Sequence, residues 1–244
     1  NTVSVPVHWY EVEPEKGKFD WTVLDSYLEL VKKHGLKMEM LWFGANSGGH
    51  VQWLGRPGKN AVHLRTPDYV LYSSSPSSKE TTSEFTIRRD MSDYTLDIAD
   101  DRLRERETYV LGKVMEHIAV WDMANGKQHP IIGVQINNEF VGQRMAFPNS
   151  LAISYLNSVA GAVKQSDYVV WTRANCVFWN VNGRIYENEA HRRSPEQTNL
   201  DFVGIDTYRH HFPSDASFIA SMRNNLPYVE KNFRMIMETN SGIP

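Results

Sequence analysis

The sequence predicts an α/β fold built on a parallel, helix-covered sheet, and two apolar segments carry that prediction. The run 131–136 is rich in β-branched residues and has no strict polar alternation, which is typical of a strand buried on both faces. A second short apolar run covers 233–238. Glu139 follows the first run and Glu238 ends the second, each beside small polar residues. Parallel sheets, above all (β/α)8 barrels, carry catalytic groups just past the C-terminal ends of strands.

The other elements follow as strands that alternate with amphipathic helices. Strands are expected at 3–8, 36–43, 131–136, 168–172, 202–206 and 233–238, and apolar residues at helical spacing follow residues 22, 102, 150 and 215. A (β/α)8 barrel needs eight strands. The six expected strands are too few to close such a barrel. We therefore predict one barrel domain over residues 1–244, in an excerpt whose first and last strands lie in flanking sequence.

Residues 44–101 interrupt this pattern with glycine, serine, proline and aspartate. A loop of this length in a compact domain is uncommon and usually functional. We interpret it as a barrel-top insertion that shapes a substrate cleft. Disorder is the alternative for 73–83, where serines are frequent.

Composition narrows the possible functions. The chain has 244 residues, about the length of one barrel, with 41% hydrophobic, 11% aromatic and 23% charged residues, as expected for a globular domain with a substantial core. The net charge of -3 gives no basic field for nucleic acid. No apolar run approaches the ~20 residues of a membrane span. The single cysteine, Cys176, excludes an internal disulfide and is interpreted as a small buried residue.

Two carboxylates, each at the end of its own buried strand, suit glycoside hydrolysis. One carboxyl group must protonate the leaving oxygen, and the other must attack or stabilise the oxocarbenium-like centre. Asn138, beside Glu139, offers an amide for a sugar hydroxyl. The alternative is that Glu139 is a solvated loop acid and that Asn137 and Asn138 are turn residues.

Two stretches resemble a known group of enzymes. Gly133-Val-Gln-Ile-Asn-Asn-Glu139 is similar to the Gly-Val-Gln-x-x-Asn-Glu segment of the β-galactosidase families 35 and 42. Residues 1–21, with a Glu-Pro-x-x-Gly-x-Phe-Asp run, resemble the second-strand segment of these families. Asn-Glu after strand four and Glu after strand seven is the signature of the retaining (β/α)8 glycoside hydrolase clan. By this resemblance Glu139 would end strand four and Glu238 strand seven, so the six expected strands would be strands two to seven. The resemblance implies an exo-acting, β-galactosidase-like retaining β-glycosidase, with an endo-β-glycanase as the alternative.

The resemblance also implies roles for individual residues. Glu139 would be the general acid and then base, and Glu238 the nucleophile. Asn138 would hold the hydroxyl beside the reacting carbon, and Tyr208 would donate a hydrogen bond to the nucleophile. Further candidates for substrate binding are Asn137, Asn46, Trp42, Trp9 and Asn175. Asn137 stands where family 35 commonly has an acid that helps to read the sugar, which weakens the case for galactose.

Two other classes of function stay open. A metal-dependent hydrolase would use histidines with Asp206, although adjacent histidines in an extended segment point apart. The histidines concerned are His8, His50, His63, His191, His210 and His211. A barrel that binds carbohydrate without turnover is the other alternative. We expect an oligo- or polysaccharide substrate and no cofactor, metal, nucleic acid or membrane partner. The resemblance favours an extracytoplasmic location, and the oligomeric state is left open.

Overall fold

A computed structural model describes most of the chain, in nine stretches. They are residues 1–45, 66–71, 87–90, 93–96, 98–138, 149–177, 198–206, 213–225 and 236–238. The interpretation of 73–83 as disordered lies outside these residues.

Six parallel strands form the central sheet, as the sequence predicts. They are β1 (Thr2–His8), β2 (Lys37–Phe43), β5 (Ile131–Ile136), β6 (Trp171–Val177), β7 (Phe202–Asp206) and β8 (Ile236–Glu238). Their hydrogen-bonded order is β1-β2-β5-β6-β7-β8, and each pairing is parallel. Neighbours in the chain are thus neighbours in the sheet, as in a (β/α)8 barrel. The strands β3 (Ile87–Asp90) and β4 (Asp93–Leu96) form a separate antiparallel pair.

Helices connect the strands and cover the sheet. They are α1 (Trp9–Val12), α2 (Thr22–Lys33), α3 (Asp68–Leu71), α4 (Asp101–Ala124), α5 (Asn149–Lys164) and α6 (Asp215–Asn225). The helix α4 begins where the Asp100 side chain accepts a hydrogen bond from the Arg102 backbone N–H at 3.0 Å, a typical N-terminal cap. It ends before Gly126, whose φ of 94° suits glycine.

The two faces of the sheet differ in chemistry. Met38, Met40 and Val134 share one face of the sheet and belong to one buried cluster with the apolar faces of α2, α4 and α5. Glu39 and Gly133 are register partners on the opposite face, which lines the barrel interior. This alternation means that a residue's position along the strand decides whether it faces a helix or the interior.

One strand boundary needs correction, and one segment has more structure than expected. The sequence predicts a strand at 168–172, the fifth strand of the barrel, but β6 runs from Trp171 to Val177. Pairing with β5 starts at Gly133 and Trp171, while Val169, which precedes β6, is 81% exposed. Residues 168–170 therefore do not pair with β5, although Val169 and Val170 are β-branched. The segment 44–101 contains α3 and the β3–β4 pair.

Candidate active site

The C-terminal ends of the parallel strands meet at one edge of the sheet, and several predicted site residues belong to it. Glu238 is the last residue of β8 and is the register partner of Asp206, the last residue of β7. Asn137 and Asn138 directly follow β5. Glu139, Tyr208 and Asn46 lie outside the described residues, and their roles stay predictions.

Asn138 and Asn175, both predicted from sequence, are in direct contact. The Asn138 Oδ1 atom accepts hydrogen bonds from Asn175 Nδ2 at 3.0 Å and from Gln135 Nε2 at 3.1 Å. Gln135 also donates to the Asn137 carbonyl at 3.0 Å, so the strand end is tied to its own chain. Two donors on one oxygen fix the orientation of the Asn138 amide. Among the described residues, its nitrogen has no hydrogen-bond partner.

Asn137 reverses the alternation of side chains at the end of β5. Its φ is 57°, in the left-handed region that asparagine tolerates better than most residues. Strict alternation after Gln135 would direct Asn137 to the interior and Asn138 to the helices. Instead, Asn137 Nδ2 donates to Glu107 of α4 at 2.9 Å, and Asn138 joins the interior residue Asn175. Asn137 is buried, so the predicted sugar contact by its side chain has no support here.

The two tryptophans predicted as sugar contacts are both buried. Trp42 is 0% exposed and donates its indole N–H to Glu107 at 2.9 Å. Trp9 is also 0% exposed and donates to Glu13 at 3.0 Å. Trp42 shares the helix-facing side of β2 with Met38 and Met40, which explains its direction. In this structure neither ring offers a face to a ligand, so their assignment as substrate contacts stays a prediction without structural support.

Glu107 is a buried carboxyl group that the sequence interpretation missed. It lies in α4 with both oxygens surrounded by donors. Oε1 accepts from Trp42 Nε1 and Asn137 Nδ2, and Oε2 accepts from Ala45 N at 3.0 Å and Tyr155 Oη at 2.7 Å. Burial raises the pKa of Glu107, and these four bonds offset only part of that effect. The available signal was its place in the apolar stripe Leu103, Glu107, Leu111, Val114.

Glu13, the acid of the Glu-Pro run, is also buried and holds the segment after β1 in place. It accepts hydrogen bonds from the Trp9 indole, from the Gly17 backbone N–H at 2.8 Å, and from the Tyr69 hydroxyl. It also forms an ion pair with Arg106 of α4. These contacts connect α1, α3 and α4, so this acid has a structural role in the part of the chain described.

A second buried ion pair lies in the barrel interior, on the face shared by Glu39, Gly133 and Trp171. The Arg173 guanidinium contacts both oxygens of Glu39, with Nη2 to Oε2 at 2.7 Å, and Ser4 Oγ donates to Oε2 at 2.9 Å. Burial acts to raise the pKa of Glu39, but the hydrogen bonds and charge of Arg173, together with hydrogen bonds from Ser4 and Trp171, outweigh it and lower the pKa.

His8 is the histidine of the proposed metal set that the structure describes. Its Nδ1 atom lies 3.0 Å from Glu11 Oε2 at the end of β1. The burial of Glu11 acts to raise its pKa, yet the bonds and charge of His8 hold it below the ordinary value. Within the described stretches, no three His, Cys, Asp or Glu side chains are grouped to hold a metal ion. His50, His63, His191, His210 and His211 lie outside those stretches.

None of the described helices is long and apolar enough to cross a membrane.

Comparison with known proteins identifies the fold. Residues 1–62 match the model of glycoside hydrolase family 42, described as beta-galactosidase. No curated protein matches the chain. Among solved structures, exo-beta-1,4-mannosidase Op5Man5 from Opitutaceae bacterium strain TAV5 matches with a TM-score of 0.62 and 16% identity, over 98% of this chain and 39% of that one.

Two further structures show the same likeness. A beta-galactosidase from Rahnella sp. R3 has a TM-score of 0.60 and 12% identity, over 98% of this chain and 40% of the other. Endo-glycoceramidase II from Rhodococcus sp. has a TM-score of 0.59 and 14% identity, over 100% and 59%. This chain thus spans between 39% and 59% of the length of these proteins. The chain has the (β/α)8-barrel fold of these glycoside hydrolases, and the predicted resemblance to them is confirmed, with the family 42 match confined to its first 62 residues.

Proposed function

We propose that the protein is a retaining β-glycosidase that cleaves O-glycosidic bonds by double displacement. The observation that carries the proposal is the placement of Glu238 at the C-terminal end of β8, on the edge where Asn138 leads into Glu139. A barrel with two carboxylates at the ends of different strands matches the chemical requirement of glycoside hydrolysis. The glycosidase fold of the chain supports the same reaction class.

In this mechanism one acid is the nucleophile and the other transfers protons. Glu238 attacks the anomeric carbon while Glu139 gives its proton to the departing glycosidic oxygen, and a covalent glycosyl-enzyme forms. Glu139 then takes a proton from water, which attacks the same carbon and releases Glu238. Retention requires the two carboxyl groups to lie about 5 to 5.5 Å apart. In this proposal the Asn138 amide donates to a hydroxyl beside the reacting carbon, and the hydrogen bonds from Gln135 and Asn175 that orient this amide support the role.

We further propose exo action on β-galactoside-like substrates, with endo action as the alternative. The family 42 match at residues 1–62 supports the first. The similar structures include an exo-mannosidase and an endo-glycoceramidase by name, so both modes occur on this fold. A panel of nitrophenyl β-glycosides, run beside polymeric mannan, xylan, glucan and galactan, separates the two. Release of single sugars from chain ends supports exo action, and a rapid fall in polymer length contradicts it.

The experiment that tests the mechanism removes each acid in the full-length protein. Glu238→Ala should lose activity, and added azide should give an α-glycosyl azide because a small anion can fill the space of the missing nucleophile. Glu139→Gln should spare substrates with activated leaving groups far more than natural ones. Glu116→Gln, at an exposed carboxylate of α4, is the matched control and should behave as wild type.

Two outcomes would contradict the proposal. Unchanged activity in Glu238→Ala, or azide that restores no turnover, removes Glu238 as the nucleophile. Binding of sugar with no turnover, and no covalent labelling at Glu238 by a fluorosugar, would identify a carbohydrate-binding barrel instead.

A further inference from the structure

We propose that Glu107 is a positioning residue for the acid/base segment, by which we mean Asn137 and Asn138 together with the proposed acid/base Glu139 that follows them. Glu107 holds Asn137 in the conformation that directs Asn138 to the barrel interior. The inference rests on the proposed function, in which Glu139 follows these two residues. Glu107 lies in α4 and does not belong to the strand ends. It would act through Asn137 and not by touching the substrate.

The first observation is the reversal of side-chain alternation at residue 137. Asparagine tolerates a φ of 57° better than most residues, but the state is still uncommon, and contacts of the side chain help to hold it. The Asn137 side chain provides them at both of its ends. Its Nδ2 atom donates to Glu107 Oε1 at 2.9 Å, and its Oδ1 atom accepts from the Gly44 backbone N–H at 3.0 Å. Without the Glu107 contact, one of these two attachments is lost.

The second observation is the close packing of Glu107 against the end of β2. A Cβ atom added to Gly44 would lie 1.9 Å from Glu107 Oε1 and 2.7 Å from Trp42 Nε1. Trp42 and Ala45 also donate to the Glu107 carboxyl group. One side chain of α4 thus joins the ends of β2 and β5, which are neighbours in the sheet.

The third observation explains why a carboxyl group suits this position better than an amide. Trp42, Ala45 and Asn137 can only donate through the atoms that face Glu107, and only the Tyr155 hydroxyl can either donate or accept. A carboxylate accepts from all four. Glutamine would turn an NH2 group toward at least one N–H donor. Glu107→Gln therefore keeps the volume but loses part of the attachment of Asn137 or of Ala45.

The test compares leaving groups in the full-length protein. Departure of dinitrophenol needs little help from an acid, whereas departure of methoxyphenol needs proton transfer from Glu139. If Glu107 positions the acid/base segment, Glu107→Gln should lower kcat/KM for the methoxyphenyl glycoside about tenfold to a hundredfold more than for the dinitrophenyl glycoside. A general loss of folded protein would lower both rates by the same factor.

Two further variants complete the design. Tyr155→Phe removes a donor to the same carboxyl group without touching Asn137, so it should lower both rates equally. Asn137→Ala removes the amide that Glu107 holds and should repeat the unequal loss. It replaces Glu107→Gln if that variant does not fold or if its glutamine oxygen still accepts from Asn137. An equal loss for both glycosides in Glu107→Gln and Asn137→Ala would overturn the inference.

A failure of the proposed function can be distinguished from a failure of this inference about Glu107. If the wild type cleaves no glycoside, that proposal fails, and crystal structures of wild type and Glu107→Gln then decide the inference. We expect Asn137 and Asn138 to shift in the variant while β5 stays in place. An unchanged backbone at these residues would contradict the role of Glu107.

Discussion

The buried ion pair between Glu39 and Arg173 makes a strong prediction about stability. Replacing Arg173 by methionine removes the guanidinium but keeps a long side chain in the barrel interior. The two charged side chains are only 7% and 4% exposed, so the remaining carboxylate cannot be solvated by bulk water. Ser4 Oγ remains as a donor at 2.9 Å, which limits but does not remove the loss.

The size of the effect follows from this burial. Removing one partner of a buried pair destabilises proteins by about 3 to 5 kcal/mol, and the Ser4 bond places Arg173→Met near the lower figure. Glu39→Leu leaves Arg173 without either of its contacts to Glu39 and should reach the upper figure. The double variant replaces the pair with apolar side chains and should lie within roughly 2 kcal/mol of wild type. The two losses are therefore strongly non-additive.

The acidic range provides a second signature. The pKa of Glu39 is lowered in the folded protein, so the pair stabilises the fold above the ordinary glutamate pKa and this contribution is lost as pH falls through the lowered value. In Arg173→Met, burial alone would raise the pKa of Glu39, and protonation would relieve the unpaired charge. The stability gap between wild type and this variant should therefore narrow from pH 7 to pH 5.

Urea unfolding of the full-length protein, followed by circular dichroism, measures all four variants of this cycle. Lys113→Met is the control, because the exposed pair of Lys113 and Glu116 should contribute less than about 1 kcal/mol. A loss below about 1 kcal/mol in Arg173→Met would show that the buried pair is no stronger than a surface pair. Additive single losses would equally refute the reasoning.

Three other predictions concern single positions. Gly133→Ala should lower the free energy of unfolding by about 1 to 3 kcal/mol, measured with urea, since the new Cβ would lie 1.7 Å from Trp171 Nε1; an unchanged value would mean that the indole moves freely. Because burial raises the pKa of Glu107, wild-type stability should fall as pH rises from the ordinary value of 4.5 through the folded value, whereas Glu107→Gln should lack this slope in thermal scans. Asn138→Ala should lower kcat about a hundredfold on the preferred nitrophenyl glycoside, and a change in KM alone would place its amide outside the transition state.

Much of the fold was predictable because its signals are local. Apolar runs of strand length identified β5 and β7 with their bounds, and helical spacing identified α4 to within one residue of its start. The same local signals placed Glu238 at a strand end and Asn138 directly after one. The predicted start of β6 was wrong. The residue at which β6 begins to pair with β5 depends on both strands, so it cannot be read from residues 168–170 alone.

The direction of side chains was decided by tertiary structure. Simple alternation along β5 predicts the wrong side for Asn137 and Asn138, because a left-handed residue reverses the alternation and its stabilising contact comes from α4, 30 residues earlier. The apolar stripe of α4 contains Glu107, but the hydrogen-bond donors for its carboxyl group come from Trp42, Ala45, Asn137 and Tyr155, which the sequence does not place beside it. The sequence by itself determined which residues stand at the edge of the sheet, since that depends on local periodicity. Only tertiary structure decided which of them face the interior, since that depends on contacts between segments far apart in the chain.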